Sequence, residues 1–428
     1  MENVTIIPVN PLMIFPFVFL LLSIAVIPLI NKHWWERNYP VFSFGLGFVA
    51  IIYYIFFLKN SARMVHTGLE YISFITLIGS LFVVAGGIHI NIKGQSTPHA
   101  NVIMLSIGAL VSNVLGTTGA SVLLIRPYLK VNKYRLTSYH VVFFIFIVSN
   151  IGGALTPIGD PPLFLGYLKG VPFFWVINKV WSAWLLAISL LLIIFYLIDY
   201  RYYIRVKEKL REEVEFKGEE THVLGLYNIL FLILILIAVF INKPVLLRES
   251  IMAGAAICSY FTTRKEIHER NKFNFIPIKE VAILFAGIFA TMVPCLDWLQ
   301  INAGKLGIET PGQFFWGTGI LSGVLDNAPT YLNFLSASFG LHDLQLDNQT
   351  HMVIFLEQHW KYLQAISVAA VFFGAITYIG NGPNFMVKSI SEQEGVHCPS
   401  FFGYIIKYSL PILVPIFAFI WLLFFRVN

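Results

Sequence analysis

The chain has 428 residues, of which 57% are hydrophobic and 12% charged, and its mean hydropathy is +0.74. A soluble domain is about one quarter charged, so this composition excludes a water-soluble globular protein and points to an integral membrane protein. The formal net charge of +6 sits in short loops between apolar runs, where membrane topology accounts for it, and nucleic acid is not expected as a partner.

The opening residues, MENVTIIPVN, lack the basic region of a secretory signal, so the first apolar run, Pro11 to Ile30, is expected to be a retained helix. Further runs at Val41 to Leu58, Tyr71 to Ile90 and Val223 to Ile241 each approach the roughly 20 residues that cross a bilayer as a helix, which makes a barrel unexpected. Cytoplasmic loops collect Lys and Arg. With the amino terminus outside, the inside loops are Asn31 to Tyr39, Arg126 to Thr137, Arg201 to His222 and Thr263 to Pro277, and these hold nearly all the dense basic clusters. The outside stretch from Ala337 to Gln358 carries His342, Asp343, Asp347 and Glu357 but no Lys or Arg. The expectation is a multi-pass protein of the cell inner (plasma) membrane.

Two segments interrupt the apolar runs with the same pattern. GGALTPIGDPPLFL from Gly152 and FGAITYIGNGPNFM from Phe373 share Gly-Ala-(Leu/Ile)-Thr-x-Ile-Gly-(Asp/Asn)-x-Pro-x-Phe. Gly153 matches Gly374, Thr156 matches Thr377, Gly159 matches Gly380 and Asp160 matches Asn381, at a constant offset of 221 residues. A weaker pair precedes them in the same order, SNVLGTTGAS from Ser112 and DNAPTYLNF from Asp326, each with an Asn beside a small or acidic polar residue. With both earlier segments read as re-entrant hairpins, an odd number of crossings separates the copies, so the second is inverted. The fold class is thus all-α and polytopic, with inverted-topology repeats, re-entrant hairpins and broken helices in about ten to twelve transmembrane segments, an architecture of many secondary transporters. Residues 1–200 form an amino-terminal half and 223–428 a carboxy-terminal half. Between them, residues 201–222 mix both charge signs at helical spacing and read as a solvated linker.

Proline and glycine break helices, and in lipid a broken backbone is tolerated only where protein buries it or where it lines a wet cavity. Four breaks at matched places therefore predict one site near the midplane. Its oxygen set is Asn113, Thr117, Thr118, Thr156, Asp160, Asp326, Asn327, Thr377 and Asn381, with Gly159 and Gly380 at the breaks. A carboxylate at the centre of a span costs on the order of 3 kcal/mol and is a functional candidate by default. For Asp160 two readings stand open, a helix cap ahead of Pro161-Pro162 and a cap that is also an ion ligand; for Asp326 the structural reading is a hydrogen bond to backbone freed at Pro329. Hard cations take oxygen ligands, and a carboxylate partly withdrawn from water can trade a proton for a cation. No Lys or Arg falls within the four motifs, which favours a cation over an anion. Asp160 and Asp326 are the expected metal-ion ligands.

Other polar residues are read as structural. His89, His140 and His359 lie at span ends as interfacial or core histidines, Asp297 beside Trp298 reads as an interfacial anchor, and Cys258, Cys295 and Cys398 show no metal-ligand spacing. Nothing resembles a nucleophile triad or a P-loop, so neither an enzyme nor a nucleotide-driven pump is expected, and no cofactor beyond transported Na+ and H+.

At these motifs the chain resembles the ion transporter superfamily, which includes NhaD-type sodium/proton antiporters, citrate/metal symporters, arsenite permeases and divalent-anion/sodium symporters. GGALTPIGDPP is most similar to the unwound loop of the NhaD-type and citrate-transporter-like branch, and the resemblance covers roughly Tyr71 to Phe425. It implies that Ser112-Asn113 sits at the tip of an inward-facing re-entrant hairpin, Asp326-Asn327 at that of an outward-facing one, and Thr156 to Asp160 and Thr377 to Asn381 in two unwound loops around the site. It also implies a homodimer with a scaffold and a moving transport domain. Two functions follow as expectations: exchange of Na+ or Li+ for H+ with Asp160 and Asp326 as alternating acceptors, or Na+- or H+-coupled symport of citrate or another di- or tricarboxylate with Asn113 and Asn327 on the organic anion. The Ser112-Asn113 pair is itself similar to the carboxylate-binding motif of the divalent-anion symporters. A passive channel or a structural membrane protein is the third class.

Overall fold

The computed structural model describes residues 6–92, 96–210, 222–241 and 243–426, so residues 211–221 of the predicted linker lie outside the described residues. The helices α1 (Phe15–Ile30), α2 (Lys32–Ile52, prolonged by a π-helical turn to Phe57) and α3 (Ser61–Gly86) lead to a short strand β1 (His89–Asn91). There follow α4 (Pro98–Val131), α5 (Ser138–Ile147), α6 (Pro161–Leu168), α7 (Phe173–Leu210), strand β2 (His222–Leu224), α8 (Asn228–Val239), α9 (Leu247–Thr262), α10 (Lys265–Arg270) and α11 (Ile276–Asn302). The chain ends with α12 (Pro311–Val324), α13 (Asn327–Leu341), α14 (Gln349–Gln358), α15 (Trp360–Phe373), α16 (Gly382–Gln393), α17 (Phe401–Tyr404) and α18 (Val414–Phe424), the last two joined by a π-helical stretch. Eight helical segments among the described residues are long and apolar enough to cross a membrane, so the chain is an all-α polytopic membrane protein.

One of those eight does not cross. Helix α4 holds 34 residues, but Gly116 in its middle has φ 73° and ψ 155°, a backbone conformation open to glycine and strained for other residues. Asn101 and Asn132, 31 residues apart, exchange side-chain hydrogen bonds of 2.9 and 2.8 Å, whereas an unbroken helix would hold them about 46 Å apart. The arms 98–115 and 117–131 therefore fold back on each other as a re-entrant hairpin. Helices α12 and α13 make the second hairpin, in which the rings of Phe314 and Phe334, on opposite sides of the turn, lie 6.1 Å apart. Each hairpin is entered the same way. Thr97 and Thr310 cap the first turn with their side chains, and Pro98 and Pro311 stand in the first helical position, where the missing N–H costs nothing.

The broken helices match the predicted repeat. Helix α5 runs into a 3-10 turn (Ile151–Leu155), unwinds and restarts as α6; α15 runs into Gly374–Ile376, unwinds and restarts as α16. Five crossings separate the hairpins, the α5–α6 pair, α7, α8, α9 and α11, so the second copy is inverted as expected. The two β-strands pair antiparallel, with Asn91 opposite His222, and tie the start of the carboxy-terminal half to the segment ahead of the first hairpin.

Some boundaries differ from the sequence reading. The span predicted over Tyr71 to Ile90 begins earlier, at Ser61, because Asn60 caps the helix through its side chain. The run Val223 to Ile241 is shorter as a helix because its first residues are used in β2. The loop expected from Ala337 to Gln358 contains α14, whose Met352 and Phe355 are buried.

Asp297 is corrected outright: it is no interfacial anchor. Its side chain is 1% exposed and receives hydrogen bonds of 2.7 Å from both Arg63 and the Tyr54 hydroxyl. Arg63, itself 2% exposed, reaches Asp347 at 2.6 Å, and Lys169 bridges Asp347 and Glu70 at 2.6 and 2.8 Å. This network joins α3 and α11 to the end of the first broken helix and to the loop after the second hairpin. At the opposite face, Arg135, Tyr139 and His140 converge on the buried Asp199, which also accepts from Asn101 at the base of the first hairpin. Removing one partner of a buried pair strands the other charge and costs about 3–5 kcal/mol. Arg63→Ala should lower the unfolding midpoint of the detergent-solubilised protein well below that of Lys265→Ala, whose ion pair to Glu269 is exposed; equal midpoints would refute the network as a stabilising tie.

Candidate ion-binding centre

The unwound loops owe their shape to paired glycines. A Cβ on Gly153 would stand 2.7 Å from the carbonyl oxygen of Gly159, and one on Gly380 would stand 2.7 Å from that of Gly374. Within each loop the threonine closes the turn. Thr156 donates to the Asn113 carbonyl at 2.6 Å and accepts from the Gly159 N–H at 3.1 Å, and Thr377 donates to the Gly323 carbonyl at 2.7 Å and accepts from the Gly380 N–H at 3.0 Å.

These matched bonds reset the register of the hairpins. Asn113 corresponds to Gly323, not to Asn327, so SNVLGT from Ser112 overlies SGVLDN from Ser322. Ser112 and Ser322 each donate to a carbonyl of the helix ahead of the break, at Val148 and Ala370. Gly116 then corresponds to Asp326, and Thr117 to Asn327. The tip of the first hairpin is Gly116, one turn beyond the expected Ser112-Asn113.

Asp160 lies at the meeting point of all four breaks and is 1% exposed. Its Oδ1 accepts from the Thr117 hydroxyl at 2.6 Å and from Asn381 Nδ2 at 3.0 Å, and its Oδ2 accepts from Asn327 Nδ2 at 2.6 Å. The two hairpin tips and the opposite loop thus each supply one donor. Asp160 occupies the cap position of α6 but makes no side-chain cap bond, which removes the cap reading. Asp326 does cap: its Oδ1 accepts from the Ala328 N–H at 3.0 Å, and its carbonyl accepts from the Thr330 hydroxyl. It is half-buried. Among the described residues, no Lys, Arg or His forms an ion pair with Asp160.

Not every predicted oxygen faces this carboxylate. The Asn113 amide is occupied by backbone, donating to the Ala109 and Gly152 carbonyls and accepting from the Leu155 N–H. The hydroxyls of Thr156 and Thr377 are occupied in the turns. The Gly159 carbonyl accepts from the Thr117 N–H at 2.7 Å. Thr118 is half-buried and, with Thr117, Gly159 and Asp160, lines a cavity of about 20 Å³ closed by Leu77 and Leu81 of α3. That is room for one water molecule or a bare ion.

Two residues that sequence reasoning missed fix the polarity of the centre. Asn384 donates to the Gly374 and Thr377 carbonyls, so its Oδ1 faces outward and accepts from Asn150 Nδ2 at 2.6 Å. Asn150 also donates to the Ile145 carbonyl, and its Oδ1 accepts from Asn381 Nδ2 at 3.1 Å. Backbone carbonyls thereby orient a chain of amides that ends with the Asn381 N–H on Asp160. Asn381 is a fixed donor and does not turn its carbonyl to the carboxylate. Among the described residues, no further side-chain hydrogen bond ties the Asn327 amide or the Thr117 hydroxyl in this way. Asn384 occupies the variable position between Pro383 and Phe385 of the repeated motif and Asn150 lies two residues ahead of Gly152, and their repeat counterparts are Leu163 and Val371, so aligning the copies hides them. The signal available was a polar Ser149-Asn150 pair at the end of an otherwise apolar helix.

A side chain added at the glycine pairs forces backbone apart and costs about 1–3 kcal/mol as overpacking. Gly153→Ala and Gly380→Ala should each lower the unfolding midpoint, while Gly382→Ala, with nothing within 4 Å of its added Cβ, should leave it unchanged. A Gly153→Ala protein as stable as the parent would show that the close approach does not shape the loop.

No curated protein matches the chain. A family model described as "Putative citrate transport" (CitMHS_2) matches residues 7–425, which takes in both hairpins, both unwound loops and every residue around Asp160. The chain therefore belongs to this citrate-transporter-like family of ion transporters.

Proposed function

We propose that this transporter exchanges Na+ or Li+ for H+, with Asp160 holding the cation and the proton in turn. The observation that carries this reading is the carboxylate itself, 1% exposed and met only by neutral donors among the described residues. An ionised carboxylate withdrawn from water is costly unless a charge balances it, and a proton or a metal cation are the two charges that a cavity of about 20 Å³ can admit. In the proton-free state the donors of Thr117, Asn327 and Asn381 hold the carboxylate. When a cation enters, Thr117 and Asn327 turn their oxygens to it while Asn381 stays a donor, and Asp326 at the hairpin tip supplies a second carboxylate as metal-ion ligand. Hard monovalent cations take such oxygen sets. The hairpins and broken helices form the moving part and α1 to α3, α8, α9 and α11 the scaffold, in a homodimer of the inner membrane with the amino terminus outside, an orientation that the basic loops support.

The second reading is symport of citrate or another di- or tricarboxylate coupled to Na+ or H+, which the family's description favours. Asp160 and Asp326 would then hold the coupling ion, and the anion would need a wider space than the cavity beside Asp160. Asn113 would have to give up its backbone bonds to meet the anion.

Proteoliposomes with an acid interior, reported by a quenched dye, separate the two. Addition of Na+ or Li+ without any organic anion should restore fluorescence, and Asp160→Asn should reduce that rate about 100-fold or more while leaving the protein inserted. Asn327→Ala should keep exchange but raise the half-saturating Na+ concentration about tenfold, the loss of one ligand worth ~1.4 kcal/mol. Full activity in Asp160→Asn refutes the assignment. Proton movement that requires citrate transfers it to the symporter.

A further inference from the structure

A second cavity, of about 270 Å³, opens at the face where the two strands pair, against the base of the first hairpin. It is far larger than the space beside Asp160 and approaches the roughly 300 Å³ at which pockets for small organic ligands begin. Its polar lining is His89 and Asn91 of β1, Arg126 and Lys130 of the hairpin's second arm, and Arg270 and Asn271 at the end of α10. Among the described residues, the lining holds three cationic side chains and no carboxylate.

Arg126 and Lys130 are four residues apart on one helix, a spacing that puts like charges side by side at a cost, and Arg270 brings a third from another element. A topological signal alone would be met by exposed lysines in any loop. Arg126 instead keeps only 21% of its side chain exposed. Its Nε is buried and finds no hydrogen-bond acceptor among the described residues. The carboxylate of Glu394 stands 4.0 Å away, beyond hydrogen-bond reach, and is already held by Lys272 at 3.1 Å. Lys130 donates to Asn91 at 3.0 Å, and Arg270 is paired with Glu266 at 2.6 Å. Asn271 donates to the Gly86 and Ile88 carbonyls, which turns its Oδ1 to His89 Nδ1 at 2.7 Å and makes that nitrogen a donor. Several donors, fixed charges and a small-molecule volume thus converge between the hairpin and the strand segment.

We propose that this cavity binds a small multivalent oxyanion, a polycarboxylate or phosphate group, with Arg126 and Lys130 on one side and Arg270 on the other. The site is separate from Asp160 and does not rest on the exchange reaction. The same chemistry is offered by a free anion and by the phosphate of an anionic lipid, and basic pockets between membrane helices hold such headgroups.

The test uses the full chain in detergent, titrated calorimetrically with the choline salts of citrate and of phosphate so that no Na+ enters. Wild type and Asp160→Asn should bind one of these anions alike, and Arg126→Gln/Lys130→Gln should weaken it at least about tenfold, as expected for lost charge-assisted contacts. In parallel, native mass spectrometry after reconstitution with phosphatidylglycerol reads lipid retention. Lipid held by wild type and lost in the double variant, without free-anion binding, supports the pocket with a headgroup as its ligand. If the double variant does not fold, Arg270→Gln, on an exposed helix, replaces it and should weaken the same ligand. Binding of either ligand unaffected by these substitutions, binding lost in Asp160→Asn, or no binding of either ligand to wild type would overturn the proposal.

Discussion

An ionised carboxylate in an apolar interior has to be held by something, and that requirement organises the centre of this protein. Asp160 is met by one hydroxyl and two amides from three separate segments. Each donor stands at or beside a break, Thr117 after Gly116, Asn327 at the start of α13 and Asn381 at the start of α16. Two hairpins that stop at mid-depth and two helices that unwind there bring tips and loops to one point. The glycine pairs allow the loops to turn that tightly, and the threonines return the freed backbone N–H groups to hydrogen bonds, as burial away from water demands.

The two repeats share a backbone but not a charge. Asp160 in one copy faces Asn381 in the other, so only one of the two unwound loops brings a carboxylate. Two carboxylates at that separation would repel, whereas an amide at the second place donates to the first. The asymmetry continues outward, since the chain from Asn384 through Asn150 to Asn381 exists on one side only and starts from backbone carbonyls. The polarity of Asn381 is therefore set by backbone carbonyls, while Thr117 and Asn327 on the hairpin tips are oriented by their bonds to Asp160. The proposed exchange, in which one group accepts a proton or a cation in turn, draws on both properties.

Charge at the two faces serves a different end. The networks around Arg63 and around Asp199 each set basic side chains directly against buried acids, Arg63 and Lys169 in one and Arg135 in the other. They tie the bases and ends of the hairpins and broken helices to long helices. Among the described residues, the basic cavity beside the first hairpin has cations and no carboxylate in its lining, which sets it apart from both.

Much of this was legible in the sequence because it depends on local chemistry. Composition established the membrane class, the repeated Gly-Ala-x-Thr-x-Ile-Gly motif established two inverted copies, and the glycines and prolines located the breaks, since each acts on its own stretch of backbone. Asp160 stood out for the same reason, as a charge where a charge is costly. What the sequence could not decide was direction. Asn113, Thr156 and Thr377 carry the right atoms but turn them to the backbone, Asp297 looks interfacial but is buried on Arg63, and the hairpin register shifts until Thr117 matches Asn327. Asn150 meets Asn381 across 231 positions of chain, and only the packed structure sets which end of each amide faces its neighbour, because that choice belongs to carbonyls contributed by segments distant in sequence.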